Sequence, residues 1–305
     1  VTDDPRMGDI IKRVETDSNY KASSKLHLGL LGFPYDEGVR RNGGRVGSKD
    51  GPIVLRKLMQ RIGTVVNVEY NADLRQIEML DFGDIDGSLS LEEGHKKLRE
   101  TVGSLIKNGV IPFVVGGGND QSFPNGSALL DNYSDVGVIN IDAHFDVRPL
   151  KNGLTHSGSP FRQLLEDRLK GSRFVEFASQ GNQCSAIHAE YIKEKGGSIH
   201  WLSSLRKNGN IPQQFEEIIN SLGENVFVSF DLDAVCGRDA PGVSAPGTIG
   251  LSSEEALEMC FIAGKHKNVK LFDLSEYNPA IEDYRTGRLV ANMFYFFAMG
   301  LSLRN

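Results

Sequence analysis

Eight short apolar runs recur along the chain, each closed by a polar or glycine-rich stop and separated by segments with helical spacing. They are Leu28–Gly32, Ile77–Leu80, Ile111–Val115, Val136–Ile141, Phe174–Ala178, Ile199–Leu202, Val226–Phe230 and Val269–Leu274. Helical patterns lie between them at Pro52–Ile62, Leu91–Ile106, Ser122–Asn132, Phe161–Leu169, Ser185–Lys195, Ile211–Leu222 and Ser253–Gly264, the fourth introduced by Ser159-Pro160 as cap and first turn. Strands that are apolar throughout and alternate with helices imply a mainly parallel sheet covered on both faces. A closed (β/α)₈ barrel and an open doubly wound sheet both fit eight strands. In either, ligands bind beyond the C-terminal strand ends, where the connecting loops converge.

Composition narrows the partners. Thirty-four Lys and Arg stand against 40 Asp and Glu in 305 residues, a formal net charge of −6, and no basic run tracks a phosphate backbone, so nucleic acid is not an expected partner. Cys184, Cys236 and Cys260 are too few and too scattered for a disulfide framework, which suits a reducing, cytoplasmic compartment. The most apolar stretch, Leu289–Leu303, is shorter than the roughly 20 residues a membrane span needs and reads as a buried C-terminal helix. Residues 1–21 are polar, without the apolar core of a signal peptide. The expectation is a mobile or loosely docked arm over 1–24 and a single domain over 25–305.

Polar clusters follow the third, fourth, seventh and eighth of the runs. Two of them carry chemistry: Asp142-Ala143-His144-Phe145-Asp146 and Asp231-Leu232-Asp233. Spacing of i, i+2 and i+4 at a strand end projects side chains to one side of the backbone. Four carboxylates and one imidazole brought together without a cation would repel one another in a partly desolvated crevice, at a cost of several kcal/mol in rough continuum terms. Oxygen-rich ligation with a single imidazole favours a hard divalent ion, Mn²⁺ before Mg²⁺ or Fe²⁺, and hence a metallohydrolase. Asp120 and Asp273, by contrast, read as helix caps or turn formers.

The motif set resembles the ureohydrolase superfamily of arginases, agmatinases and formiminoglutamases. The resemblance rests on Gly116-Gly117-Gly118-Asn119-Asp120, Asn140 to Asp146, and Ser229-Phe230-Asp231-Leu232-Asp233 with Ala245-Pro246-Gly247. Gly51-Pro52, Asp81-Phe82-Gly83-Asp84 and Glu276-Tyr277-Asn278-Pro279 support it. It implies a three-layer α/β/α sandwich with an eight-stranded parallel sheet in the order 2-1-3-8-7-4-5-6, which favours the open sheet. It also implies two Mn²⁺ ions per subunit, roughly 3.5 Å apart. Asp142 and Asp231 would bridge them; Asp146 and Asn119 would complete the first set, His144 and Asp233 the second. Arginases have His where Asn119 stands, so the first ion is expected to be held less tightly. The family chemistry is attack of a metal-bridging hydroxide on an amidino or guanidino carbon, with Asp146 protonating the departing amine. His156 would relay protons at the entrance, and Glu276 would meet the cationic N–H groups of the substrate.

The tail of the substrate is a separate matter. Residues 36–45 are unusually basic for an acidic protein, and Arg148 and Arg162 flank the second motif. Arginine pairs bidentately with carboxylates, so Arg40, Arg45, Arg148 and Arg162 suit a small molecule bearing two of them. N-formimino-L-glutamate has two and agmatine none. The patterns at Asp36-Glu37-Gly38, Arg40-Arg41-Asn42 and Ser159 to Gln163 also resemble formiminoglutamases. The implied reaction is hydrolysis of N-formimino-L-glutamate to L-glutamate and formamide in histidine degradation. Arginase activity is the alternative, and a non-catalytic binding or assembly module the alternative of another class. Homo-oligomerisation is implied by the resemblance alone.

Overall fold

The computed structural model describes residues 3–14 and 24–304. Its strands are β1 (Lys12–Arg13), β2 (Leu26–Phe33), β3 (Val66–Asn67), β4 (Ala72–Asp73), β5 (Ile77–Asp84), β6 (Val110–Gly116), β7 (Gly137–Ile141), β8 (Phe174–Ser179), β9 (Ser198–Trp201), β10 (Val226–Asp231) and β11 (Val269–Ser275). Its helices are α1 (Glu37–Asn42), α2 (Gly51–Met59), α3 (Leu91–Lys107), α4 (Ser122–Asn132), α5 (Pro160–Asp167), α6 (Ala186–Glu194), α7 (Leu202–Asn208), α8 (Ile211–Ser221), α9 (Ser253–Lys265) and α10 (Tyr284–Ser302). Among the described residues, nine strands form one sheet in the order β1-β5-β2-β6-β11-β10-β7-β8-β9, and every pairing in it is parallel. Setting β1 aside and counting the other eight in chain order gives 2-1-3-8-7-4-5-6, the order the resemblance implies. The sheet is open, not a barrel.

Strand periodicity builds the layers. Leu28 and Leu30 of β2, Phe113 of β6, Ile139 of β7 and Val228 of β10 join one hydrophobic cluster with α2, α8, α9 and α10. Their alternating neighbours Leu31, Phe33, Val114, Val138 and Phe227 join a second cluster with α3, α4, α5 and α6. Side chains of successive strand residues point to opposite faces, so two apolar cores per strand require two helical layers. The central strands β6, β7 and β10 are buried at every position. α10 lays Phe294 and Phe297 edge-on against Phe113, which stacks on Phe272 of β11 at 4.8 Å. Helix starts follow local chemistry: α3 and α9 each carry a capping box, Ser90 with Glu93 and Ser252 with Glu255.

Three expectations change. The N-terminal segment is packed rather than loose where it is described: Met7 is fully buried, its N–H donates to Gly63 O at 2.8 Å, and β1 adds a ninth strand beside β5. Residues 15–23 of that arm lie outside the described residues. The basic stretch after β2 forms α1, too short for periodicity to reveal, and it ends at Gly43 with φ 84°. Ser159 does not cap α5 through its side chain; that hydroxyl donates instead to His156 O at 2.8 Å.

Candidate metal centre

The sheet order makes β6, β11, β10 and β7 consecutive neighbours, so four loops distant in sequence leave from one edge. Gly117 is required there: a Cβ at this position would lie 1.5 Å from Tyr35 O, so a side chain would push apart the loops after β2 and β6. Asp142 leaves β7 fully buried, and its Oδ1 accepts the N–H of His144 at 2.8 Å, which turns the chain. The same turn recurs after β10, where Asp231 Oδ1 accepts the N–H of Asp233 at 2.8 Å. Carboxylate oxygens of Asp142, Asp146 and Asp231 come within 4.8 Å of one another. His144, Asp146, Asp231, Asp233 and Glu276 line a common inner cleft of about 170 Å³.

Backbone strain falls on the same residues. Asp146 and Glu276 are two of the five described non-glycine residues with positive φ, at 49° and 67°. Such conformations are disfavoured for residues with a Cβ and persist where surrounding contacts over-determine them, often at functional sites. Glu276 is held by its own N–H donating to Gly117 O (2.8 Å) and by its Oε1 accepting the N–H of Asn119 (3.1 Å).

Electrostatically the protein's own atoms do not balance this cluster. Burial, and then the charge of Asp142, push the Asp146 carboxyl up to about 7; burial also raises Asp233 to about 6 and carries Asp231 and Glu276 well above the ordinary carboxylate range. Burial alone would lower the His144 imidazole, but the hydrogen bond and charge of Asp142, with Asp146 and Asp233, raise it to about 10. Asp142 Oδ2 is buried with no hydrogen-bond partner among the described residues. A desolvated carboxylate oxygen without a donor, two further carboxylates within reach and an imidazole beside them fit a hard divalent cation, which would hold these groups ionised.

Asn119 stands beside Asp146 at the cluster. Its Oδ1 accepts from the hydroxyls of Ser122 (2.8 Å) and Ser275 (3.1 Å), while its Nδ2 donates to Asp146 Oδ2 at 2.9 Å. Asn119 thus reaches the carboxylate cluster through its contact with Asp146. Beneath it, Asp273 accepts from Asn125 Nδ2 (2.8 Å) and lies 2.9 Å from Ser122 Oγ inside the sheet, so it is a buried network member rather than a turn former. Asp120 is likewise no cap: it pairs with His95 Nε2 at 2.7 Å.

A larger outer cleft of about 540 Å³ opens from the inner one and is lined by Asn42, Arg148, Lys151, Gln183, Ser185 and His188 among others. Of the four arginines singled out, only Arg148 lines it. Arg40 is exposed and paired with Glu37 (Nε to Oε2, 2.6 Å). Arg45 is bound to the carbonyls of Val243 and Ser244, clamping the loop whose Ala245 N–H donates to Asp233 at 3.3 Å. Arg162 pairs with Glu166 at 2.9 Å and stacks over Tyr191. Arg40 and Arg162 meet glutamates three and four residues away on their own helices, whereas the partners of Arg45 are 198 and 199 residues distant in the chain. His156 lines the outer cleft, but both ring nitrogens are bound to backbone. The sequence reading missed Lys151, Gln183, Ser185 and His188; no spacing pattern marked them. Cys184 faces the outer cleft, whereas Cys236 bonds to Thr248 O and lines neither cleft.

A sequence model of the arginase family matches residues 26–300, and the chain belongs to that family. Among curated relatives, the formimidoylglutamase of Staphylococcus epidermidis is 32% identical over 275 residues, 88% of this chain and 84% of that protein. The crystal structure of Trypanosoma cruzi formiminoglutamase with Mn²⁺ superposes with a TM-score of 0.92 at 47% identity, over 99% of this chain and all of that one. The formimidoylglutamase of Bacillus subtilis superposes with a TM-score of 0.89 at 25% identity, covering 99% and 93%. No described helix is long and apolar enough to cross a membrane.

Proposed function

We propose that the protein is a manganese-dependent hydrolase that cleaves N-formimino-L-glutamate to L-glutamate and formamide. The observation that carries the substrate class is the division of charge along the cleft. Its floor is carboxylate, while the outer cleft carries Arg148 and Lys151 and, among its described lining residues, no acid other than Asp146 at the junction. An amidinium end is drawn to the floor and a dicarboxylate tail to the cations. Arginine would bring an α-ammonium group toward Arg148 and Lys151 in the outer cleft, whose one acid among the described lining residues, Asp146, stands at the junction. The formiminoglutamase relatives from three organisms support the same reading.

Asp142, Asp146, Asp231, Asp233 and His144, with Asn119 beside Asp146, are the residues that would hold two Mn²⁺ ions. When bound, the ions supply Lewis acidity and bring the pKa of a water near neutrality. Glu276, held by the Asn119 N–H, stands at the floor to accept the N–H groups of the amidinium. Asp146 lines both clefts, and its Oδ2 is fixed by Asn119 Nδ2, so this carboxyl is placed to pass a proton to the nitrogen of the departing amine. One continuous sheet supports reading 25–305 as a single catalytic domain, and three unpaired cysteines suit a cytoplasmic setting. The test is a substrate panel on Mn²⁺-loaded protein with metal analysis. Formamide release from formiminoglutamate with close to two Mn²⁺ per chain is expected; urea from arginine without formamide would refute the substrate, and no metal after loading would refute the enzyme.

A further inference from the structure

A second charged cavity lies at the other end of the sheet from the acidic cluster. It is a hollow of about 470 Å³ where β6 and β11 begin. Ile106 of α3, Val110 and Ile111 of β6 and Tyr133 after α4 give it an apolar wall, while Lys267, Lys270 and Arg304 give it charge. The seven residues of β6 and of β11 separate it from the carboxylates by roughly 20 Å, and it shares no lining residue with either cleft of the metal centre. Among the described residues no Asp or Glu lines it, and none of its three cations is in an ion pair. The acids in the neighbourhood are Glu216, which lines a smaller adjoining hollow with Lys267 and Arg304, and Glu224, which acts on Lys270.

Arg304 is fixed in place by the backbone. Its Nη2 donates to Ala263 O (3.2 Å) and Val269 O (3.1 Å) and its Nε to Gly264 O, which caps the end of α9 and ties it to the start of β11. That leaves Nη1 without a partner among the described residues. Lys270 Nζ donates to Lys267 O at 2.9 Å, which uses one of its three protons. Burial brings the Arg304 guanidinium down to about 10; burial and then the charge of Arg304 lower Lys270, with Glu224 opposing and Lys267 adding. The three positive charges are felt by one another and are not answered by a facing carboxylate.

We propose that this hollow is a second binding site, for a phosphate monoester with an apolar or aromatic group: the phosphate meets Arg304 Nη1, Lys267 and Lys270, and the organic group lies against Ile106, Val110, Ile111 and Tyr133. A phosphate monoester is close to a dianion at neutral pH and offers three acceptor oxygens, which suits three cations better than a single carboxylate does. Inorganic phosphate would leave the apolar wall in water. The lining asks for both halves of the ligand. The site goes beyond the hydrolysis proposed above and does not depend on it.

Calorimetric titration of the Mn²⁺-loaded protein with phenyl phosphate tests it. Saturable binding is expected, about tenfold or more tighter than that of inorganic phosphate or benzoate. The double variant Lys267→Gln, Lys270→Gln should weaken it about tenfold or more at an unchanged Tm. Lys267→Gln alone, at an exposed position, should weaken it about threefold and covers the case in which the double variant folds poorly. Asp142→Asn, at the far end of the sheet, should bind phenyl phosphate as the wild type does. No saturable binding, or equal affinity for inorganic phosphate or benzoate, would overturn the proposal. So would loss of binding in Asp142→Asn with full binding in the lysine variants, since that places the anion at the metal centre. None of these readouts uses formiminoglutamate, so failure of the substrate reading and failure of this site are told apart.

Discussion

Two acidic groups leave the same edge of the sheet and meet opposite fates. Asp81 and Asp84, near the end of β5, are met by Arg56 of α2: Asp81 receives its Nε and Nη2, both at 2.9 Å, and Asp84 its Nη1 at 2.6 Å. Burial would raise the Asp81 carboxyl, but the bonds and charge of Arg56 win and hold it below its ordinary range. At the ends of β7 and β10 no arginine or lysine forms an ion pair with Asp142, Asp146, Asp231 or Asp233 among the described residues, and burial leaves three of them raised. The first group is neutralised by the protein; the second is left for a cation from outside. Acidic residues at a strand end thus acquire meaning from what faces them, not from their own spacing.

The strongest way to break this comparison is to remove a carboxylate from the second group. Asp142→Asn or Asp231→Asn should abolish metal retention and lower kcat/KM by about a thousandfold or more. Circular dichroism and metal analysis would check it, and full metal content with full activity would break the contrast. In the wild type, carboxyls raised in the folded state bind protons more tightly than in the unfolded chain. They contribute stability that is complete below about pH 4 and is lost as pH rises through about 6 to 7. Chelated protein should therefore lose stability across that window, and the rise in Tm on adding Mn²⁺ should be larger at pH 8 than at pH 5. Melting scans with and without chelator would show this, and a Mn²⁺ shift largest at pH 5 would contradict it.

Removing the protein's own counter-charge should act on stability alone. Arg56→Ala leaves Asp81 partly buried with only the exposed Arg13 as a charged partner, an expected loss of about 2 kcal/mol in urea unfolding, with kcat/KM per folded molecule unchanged. Arg148→Ala sharpens the contrast within the cleft: a KM increase of about tenfold for formiminoglutamate with little change in kcat corresponds to about 1.4 kcat-independent kcal/mol of lost tail binding. The smallest effect is expected from Arg40→Ala, within about 0.5 kcal/mol of wild-type stability, because its pair with Glu37 is solvent-exposed. An increased KM for that variant would show that Arg40 reaches the substrate after all.

The eight main strands, all seven helices placed between them, and the pairing of Asp142 with Asp231 were legible in the chain. Apolar runs, their polar stops and i, i+2 spacing are local properties that survive any tertiary arrangement. What depended on distant partners was not legible. Arg162 looks like a carboxylate binder until Tyr191 lies under it, and Asp273 looks like a turn former until Asn125 meets it inside the sheet. Lys151 and His188 carried no signal, since a cleft is a property of loops meeting and not of any one loop.

By itself the sequence determined the parallel α/β layering and the gathering of acidic side chains at the ends of β7 and β10, because both follow from side-chain direction along a few consecutive residues. Tertiary structure decided which charges are already answered within the protein, that His156 is bound at both nitrogens, and that Arg148 alone of the four arginines faces the cleft. Charge and hydrogen-bond satisfaction are set by atoms three to four ångströms away in space, and those atoms come from segments up to a hundred and more residues away in the chain.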